Sequence, residues 1–244
     1  MIEVLLCDAD GNLFPSEEPA FAASAVVTNR LLGELGVAER FTADELRRAA
    51  LGRTFRAMAT DLARAHGATL DPVSLERWVE TERREVVAHL GRVLAPDPAV
   101  LAAVDRLAQR MRLAVVSSSA ISRLAACFTA TGLDGPFPVE ARFSAEDSLP
   151  VPASKPDPAV YVHAGAALGV TGETAVAVED APAGVRSAAG AGFPVVGNLA
   201  FVPGAERAER EAELRAAGAT AVVASWDELV GLLDPVAAGE ALVR

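Results

Sequence analysis

Four carboxylates in two short segments are the residues of this 244-residue chain best suited to chemistry. Asp8 and Asp10 stand in the segment CDADGNL, and Glu179 and Asp180 stand in VEDAPAG. Four such groups gathered at one place repel each other strongly unless a cation lies among them. Carboxylate and carbonyl oxygens suit Mg²⁺, the usual metal partner of phosphate. The four residues therefore predict a magnesium site.

Lys155, in the segment SKPDP, is the only lysine among the 22 basic residues of the chain. Its ammonium is a compact charge that can contact a carboxylate and a phosphate oxygen together, whereas the guanidinium of arginine is a planar fork. Ser117 and Ser118 follow an apolar segment, and their hydroxyls and the free amides of a following helix can donate to phosphate. We predict that Ser117, Ser118 and Lys155 bind a phosphate group.

The spacing of the first two carboxylates is suited to phosphoryl transfer. Asp8 can attack phosphorus and form an aspartyl phosphate. Asp10, two residues later, can protonate the leaving oxygen and then activate water. Gly11 allows the sharp bend that this arrangement requires.

Short apolar segments rich in β-branched residues alternate with longer amphipathic segments, which is typical of a parallel sheet covered by helices. The carboxyl ends of parallel strands lie at one edge of such a sheet, and the candidate residues all follow these ends. We predict a Rossmann-like, doubly wound α/β fold with strands at Ile2–Cys7, Leu113–Ser117, Val139–Phe143, Ala175–Glu179, Pro194–Val196 and Ala221–Val223. Helices are predicted at Pro98–Arg110, Ser119–Thr131, Pro158–Leu168 and Ala183–Ala191, with Gly192 and Gly218 as stops.

Residues 16–94 show helical periodicity and no convincing strand. Thr42 and Glu45 form the Thr-x-x-Glu pattern of a capping box. Further helices are predicted at Thr54–His66 and after Asp71, where proline follows at a favourable first-turn position. We therefore predict an α/β domain of residues 1–15 and 95–244 that carries the site, and an all-helical insertion, the cap, of residues 16–94.

The composition narrows the range of partners and compartments. A net charge of −11 and a pI near 4.8 argue against nucleic acid or an anionic membrane surface as partner. No apolar run reaches the roughly 18 to 20 residues of a membrane span, and the N-terminus lacks the basic lead of a secretory signal. Cys7 and Cys127 lie in apolar surroundings, which predicts buried free thiols in a reducing cytoplasm.

The segments DADGNL, VVSSS, SKPDP and VEDAPAGVRSAAGAGFPVVG resemble, in this order, the four motifs of the haloacid dehalogenase superfamily. Within it they resemble the phosphatase and β-phosphoglucomutase branch, which carries a helical cap of the C1 type after the first strand. The resemblance implies Asp8 as nucleophile, Asp10 as general acid and base, and Ser117 and Lys155 on the transferring phosphate. It implies Mg²⁺ bound by Asp8, the backbone carbonyl of Asp10, and Asp180, with Glu179 close by or bound through water.

Two features depart from the pattern or qualify it. The position after Gly11 is usually Thr or Val in relatives and is Asn12 here, to which we assign no role. The dehalogenase and phosphonatase branches lack an acid at the position of Asp10, so a phosphate ester is the favoured substrate.

The segment LGRTFRAM contains Gly52, Arg53 and Arg56 between two predicted cap helices. The resemblance implies that a cap loop at this point helps to select the substrate. Solvent-facing arginines are an equally good interpretation of Arg53 and Arg56.

The sequence thus predicts a Mg²⁺-dependent phosphatase, monomeric or homodimeric, that hydrolyses a small phosphorylated metabolite such as a sugar phosphate or a phosphoglycolate-like compound. A phosphomutase of the β-phosphoglucomutase kind is the first alternative, because it uses the same residues. A phosphorylatable receiver-type signalling module is a distant alternative, since receivers combine similar residues on a doubly wound sheet at about half this length.

Overall fold

The computed structural model describes residues 2–50 and 54–233. The chain divides into two compact units, which are described separately. One, the α/β unit, comprises Met1–Pro15 and Ala95–Arg244, and the other, the helical unit, comprises Ser16–Leu94.

Up to residue 233, where the described part of the chain ends, the α/β unit contains a parallel sheet of six strands in the order β3-β2-β1-β4-β5-β6. The first strand lies in the middle, with Cys7 opposite Val115 on one side and opposite Val178 on the other. This order is that of a doubly wound sheet and confirms the predicted fold class. The strands are β1 (Val4–Cys7), β2 (Arg112–Ser117), β3 (Arg142–Ser144), β4 (Ala175–Glu179), β5 (Val195–Asn198) and β6 (Ala221–Val223).

The prediction of a strand at Val139–Phe143 is wrong over its first half. Val139–Ala141 form a turn of 3₁₀-helix after Pro138, and Val139 is exposed. Pairing with β2 begins only at Arg142, which lies opposite Val115. Val139 is therefore an exposed turn residue and not part of a strand.

In the part of the α/β unit that the structure describes, six helices flank the sheet, and those that were predicted differ from their predicted bounds by one or two residues. The helix after β2 begins later than expected because the amide of Ser119 bonds to the side chain of Ser117. Gly192 and Gly218 have positive φ angles of 87° and 115°, as a glycine stop requires. The helices are α5 (Pro98–Ala108), α6 (Ile121–Thr131), α7 (Ala159–Leu168), α8 (Pro182–Gly190), α9 (Arg207–Ala217) and α10 (Trp226–Leu232).

The described residues of the helical unit form four helices, and the first of them, α1, contributes to two apolar clusters. Ala25 packs with Leu46 and Met58, and Val27 packs in a second cluster that contains Trp78. The capping box forms, since the amide of Thr42 donates to Glu45 over 2.9 Å and the amide of Glu45 donates back over 3.2 Å. The helices are α1 (Glu17–Glu34), α2 (Ala43–Ala50), α3 (Phe55–Ala65) and α4 (Pro72–Val93).

Within residues 2–50 and 54–233, no single helix is long and apolar enough to cross a membrane. The consecutive helices α4 and α5 satisfy the length and composition criterion only when they are counted together as a broken span, which is weak evidence because buried core helices also do so.

Candidate active site

The first part of the site is an ammonium group enclosed by acceptors at the ends of three neighbouring strands. Lys155 Nζ lies 2.5 Å from Asp8 Oδ1, 2.6 Å from Glu179 Oε1 and 2.8 Å from the carbonyl oxygen of Val116. The side chain of Lys155 is only 7% exposed. Asp8 follows β1, Val116 is the penultimate residue of β2, and Glu179 ends β4. The parallel order of the strands brings these groups together.

The charge of Lys155 is retained despite its burial. Burial alone lowers the pKa of a lysine, but the negative charges of Asp8 and Glu179 raise the pKa of Lys155 by more, so that it lies above its ordinary value. Lys155 is therefore a fixed cation in a protein whose net charge is −11. It supplies a local positive charge where an anion could bind.

Asp8, Glu179 and Asp180 form a cluster of carboxylates in which one oxygen from each residue lies within 4.8 Å of the others. Burial, followed by the charge of Asp8, raises the pKa of Glu179 to about 7 although Lys155 opposes this effect. Burial also raises the pKa of Asp8, and burial with the charge of Asp8 raises that of Asp180. A divalent cation among these oxygens would relieve the repulsion. The donor set fits a hard cation such as Mg²⁺.

Two glycines make room for this cluster. Gly11 has a φ of 78°, and a Cβ at this position would lie 2.3 Å from Asp180 Oδ2. A Cβ at Gly184, in the first turn of α8, would lie 1.8 Å from Glu179 Oε2. Both carboxylates thus occupy space that any larger residue would fill, so the cradle depends on glycine at both positions.

The carboxylate of Asp10 lies apart from the contacts of Lys155. Ser119 Oγ donates to Asp10 Oδ2 and Arg123 Nη2 donates to Asp10 Oδ1, each over 2.7 Å. The side-chain oxygens of Asp10 are not among the clustered oxygens of Asp8, Glu179 and Asp180. Neither Ser119 nor Arg123 was identified from the sequence, where each looked like an ordinary residue at a helix start.

The predicted phosphate-binding serines lie at the junction between β2 and α6. Ser117 Oγ accepts a bond from the amide of Ser119 over 3.0 Å, and Ser118 Oγ accepts one from the amide of Lys155 over 3.2 Å. The expectation that the amides here are free is wrong for Ser119 and also for Ile121, which donates to Asp147 Oδ2 over 2.6 Å. The carboxylate of Asp147 caps the helix from a distant segment, which a local sequence pattern does not reveal.

Asn12, for which the sequence pattern predicts no role, is completely buried and links three strands. Its Nδ2 donates to the carbonyl of Asp8 over 2.9 Å and to that of Val178 over 3.4 Å. Its Oδ1 accepts a bond from Asn198 over 2.8 Å, and its carbonyl accepts one from the indole of Trp226 over 2.9 Å. Asn12 therefore holds the backbone of Asp8 against the neighbouring strand ends.

Tyr161, the only tyrosine in the chain, supports the same cluster from α7. Its hydroxyl donates to Glu179 Oε1 over 2.5 Å, and its ring centroid lies 5.3 Å from Lys155 Nζ. The sequence contains one feature that could have indicated this role: the only tyrosine stands six residues after the only lysine. The ring provides a cation–π contact for the buried ammonium.

The residues predicted for substrate selection in the cap are only partly described. Gly52 and Arg53 lie outside the described residues. Arg56, in α3, forms an ion pair with Glu76 of α4, and both side chains are well exposed. A role for these three residues in specificity stays a prediction.

Comparisons with known proteins agree with this architecture. A protein of unknown function from Agrobacterium tumefaciens, described as haloacid dehalogenase-like, is 27% identical with a TM-score of 0.69, over 94% of this chain and 96% of that one. CbbY from Rhodobacter sphaeroides, solved with xylulose-(1,5)bisphosphate, shares the fold at 24% identity and a TM-score of 0.71. The match covers 94% of this chain and 96% of CbbY. A putative β-phosphoglucomutase from Thermotoga maritima shares the fold at 23% identity and a TM-score of 0.67. The match covers 95% of this chain and 98% of that protein.

A search among curated proteins gives no match. The family model of haloacid dehalogenase-like hydrolases, in contrast, matches residues 2–192, which span β1, the helical unit, the first three sequence motifs and most of the fourth. The resemblance found in the sequence is thus confirmed, and the chain belongs to the haloacid dehalogenase-like hydrolases.

Proposed function

We propose that this hydrolase is a Mg²⁺-dependent phosphatase that acts on a small phosphorylated metabolite through an aspartyl phosphate on Asp8. The observation that carries the proposal is the placement of Lys155 Nζ, 2.5 Å from Asp8 Oδ1 and 2.6 Å from Glu179 Oε1, beside the carboxylate cluster. A buried cation beside a buried carboxylate provides both a nucleophile and a site for the anion that it attacks.

In the first half of the proposed reaction, an oxygen of Asp8 bonds to phosphorus and the ester bond of the substrate breaks. The leaving oxygen takes a proton from Asp10. In the second half, water gives a proton to Asp10 and attacks phosphorus, the bond between phosphorus and Asp8 breaks, and inorganic phosphate leaves. Lys155 balances the charge of the phosphoryl group throughout, and Ser117 and Ser118 would donate hydrogen bonds to it.

Mg²⁺ would be held by Asp8, Asp180 and the backbone carbonyl of Asp10, with Glu179 close by. When bound, it supplies positive charge that lets a phosphate approach an acidic protein. The cradle formed beside Gly11 supports this part of the proposal, because Asp180 occupies the space that a side chain would otherwise fill.

The relatives support the proposed substrate class. A relative from Rhodobacter sphaeroides was solved with a sugar bisphosphate, and one from Haemophilus somnus is described as a predicted phosphoglycolate phosphatase. Sugar phosphates and phosphoglycolate-like acids are therefore the first compounds to test. Cys7 and Cys127 are buried free thiols, which supports a reducing compartment such as the cytoplasm.

The test is a panel of sugar phosphates, sugar bisphosphates and phosphoglycolate, assayed with Mg²⁺ and with EDTA, for the wild type and for Asp8→Asn. We expect Mg²⁺-dependent release of phosphate by the wild type and at least about a thousandfold less by Asp8→Asn. An isomerised product that requires a sugar bisphosphate activator would select the mutase instead. A long-lived aspartyl phosphate without turnover would select the signalling module, and full activity of Asp8→Asn would overturn the mechanism.

A further inference from the structure

Asp10 is held by two donors from one short segment of the α/β unit. Ser119 Oγ donates to Asp10 Oδ2 and Arg123 Nη2 donates to Asp10 Oδ1, each over 2.7 Å. Because the donors take different oxygens, they fix both the direction and the rotation of the carboxylate. The side chains of Asp10 and Arg123 are 24% and 25% exposed, so the protein shields most of the pair from water.

The segment that holds Asp10 also carries the predicted phosphate-binding serines. Ser119 follows Ser117 and Ser118 directly, and Arg123 stands in the first turn of α6. The backbone of that turn is fixed, because the amide of Arg123 donates to the carbonyl of Ala120 over 3.0 Å. One rigid segment therefore relates the position of Asp10 to the place where a phosphate would bind.

The chemistry of the two donors favours one form of Asp10. A guanidinium has five N–H donors and no acceptor, and its charge-assisted hydrogen bonds are strongest to a carboxylate. A carboxylate is the form that can take a proton from water. The contacts thus suit the second half of the proposed reaction better than the first, in which Asp10 gives a proton away.

We propose that Arg123, assisted by Ser119, is a positioning residue for the hydrolysis of the aspartyl phosphate. This inference rests on the proposed function. In that step an attacking water transfers its proton to Asp10 while its oxygen bonds to phosphorus and the bond between phosphorus and Asp8 breaks. Arg123 contacts neither phosphorus nor water in this account, and it acts by keeping the acceptor oxygen of Asp10 in place beforehand.

The test separates the two halves of the reaction with p-nitrophenyl phosphate, whose leaving group needs little help from an acid. Rapid acid quenching of enzyme that turns over ³²P-labelled substrate gives the phosphorylated fraction of the enzyme at saturation. The turnover number divided by this fraction is the rate constant for hydrolysis. The turnover number divided by the remaining fraction is the rate constant for formation of the aspartyl phosphate.

For Arg123→Met we expect the hydrolysis constant to fall about tenfold, a part of the 10²–10⁴-fold effect of a complete general base. The formation constant should change less than about threefold, because this substrate does not need the proton of Asp10. Arg123→Lys should recover part of the loss, since it keeps the charge but not the fork. Ser119→Ala should show the same selective effect at a smaller size.

The matched control is Arg106→Met, which removes an arginine of the same unit from an exposed ion pair with Asp227. We expect both rate constants of this variant to match the wild type. Equal losses in both constants for Arg123→Met, or an unchanged hydrolysis constant, would overturn the inference and leave the phosphatase proposal standing. A wild type that neither becomes phosphorylated nor releases phosphate would instead overturn the proposed function, and the inference with it.

Discussion

The α/β unit buries some of its charged side chains, whereas those described in the helical unit all reach solvent. In the α/β unit, Lys155 and Glu179 form an ion pair, and their own side chains are 7% and 1% exposed. In the helical unit, Arg77 and Glu34 form an ion pair, and their own side chains are 51% and 50% exposed. Exposed pairs contribute little to stability, and buried charges cost desolvation that attraction only partly offsets. Among the described residues, charged side chains are buried only in the α/β unit, which supports that unit as the proposed place of chemistry.

Two asparagines show the same difference between the units. Asn12 is completely buried and bonds to groups on three other segments of the chain. Asn29, on α1, bonds to the amide and the carbonyl of Phe41 at 2.8 and 2.9 Å and is only partly buried. The first asparagine organises strand ends around Asp8, whereas the second fastens one loop to one helix.

The largest expected effect concerns the buried ammonium. We expect Lys155→Arg to reduce phosphatase turnover about a hundredfold or more, because a displaced charge at the reacting group can cost this much even without unfolding. Circular dichroism should show an unchanged fold. Arg106→Lys, at an exposed pair, is the matched control and should keep wild-type turnover. Near-normal activity of Lys155→Arg would show that any cation suffices there.

The second prediction compares the asparagines. Asn12→Ala should lower the free energy of unfolding of the α/β unit by about 2 kcal/mol, because it leaves buried carbonyls and the amide of Asn198 without this partner. Asn29→Ala should cost about 1 kcal/mol in the helical unit, where water can replace the lost bonds. Urea unfolding measures both. Equal costs would contradict the distinction drawn between the two units.

Much of the fold could be predicted from the sequence because its strong patterns are local. The strands end in polar residues, so Asp8, Ser117 and Glu179 could be placed at one edge of the sheet before any coordinates. The capping box at Thr42 and the stop at Gly218 also depend on local chemistry. The predicted strand at Val139 was wrong because a single exposed valine has the same apolar, β-branched character as the first residue of a strand.

The rest of the candidate site depends on contacts between distant segments. Trp226 reaches Asn12 across 214 positions of the chain, and Arg123 reaches Asp10 across 113. Asp147 caps the amide of Ile121 from 26 positions away. No periodicity or spacing encodes such pairs, since they exist only after the sheet and its helices have packed.

A third prediction concerns the cradle of the carboxylates. Gly11→Ala should raise the Mg²⁺ concentration for half-maximal activity about tenfold, because the new Cβ would displace Asp180. Gly132→Ala is the matched control. Its φ of 72° is similar, yet a Cβ there meets nothing within 4 Å. We expect Gly132→Ala to cost about 1–2 kcal/mol of stability and to leave the Mg²⁺ dependence unchanged.

If both glycine variants altered the Mg²⁺ dependence alike, backbone strain and not the displacement of Asp180 would be responsible. Activity titrated with Mg²⁺, together with urea unfolding of each variant, separates these two outcomes.

The smallest expected effect is a difference in unfolding between the units, each of which contains one buried tryptophan, Trp78 or Trp226. In Trp226→Phe the fluorescence of Trp78 reports on the helical unit, and in Trp78→Phe that of Trp226 reports on the α/β unit. We expect the helical unit to unfold at a lower urea concentration, because a smaller unit buries a smaller fraction of its surface. Coincident transitions would mean that the two units unfold together.

In the proposed mechanism, Asp8 carries the phosphoryl group during turnover. The most direct measurement is rapid acid quenching of the wild-type enzyme at work on a phosphate ester with Mg²⁺, followed by peptide mass spectrometry. We expect one phosphoryl group, on Asp8, that hydroxylamine removes. Full-rate release of phosphate from enzyme that carries its phosphoryl group on another residue, or shows none in any quenched sample, would contradict it.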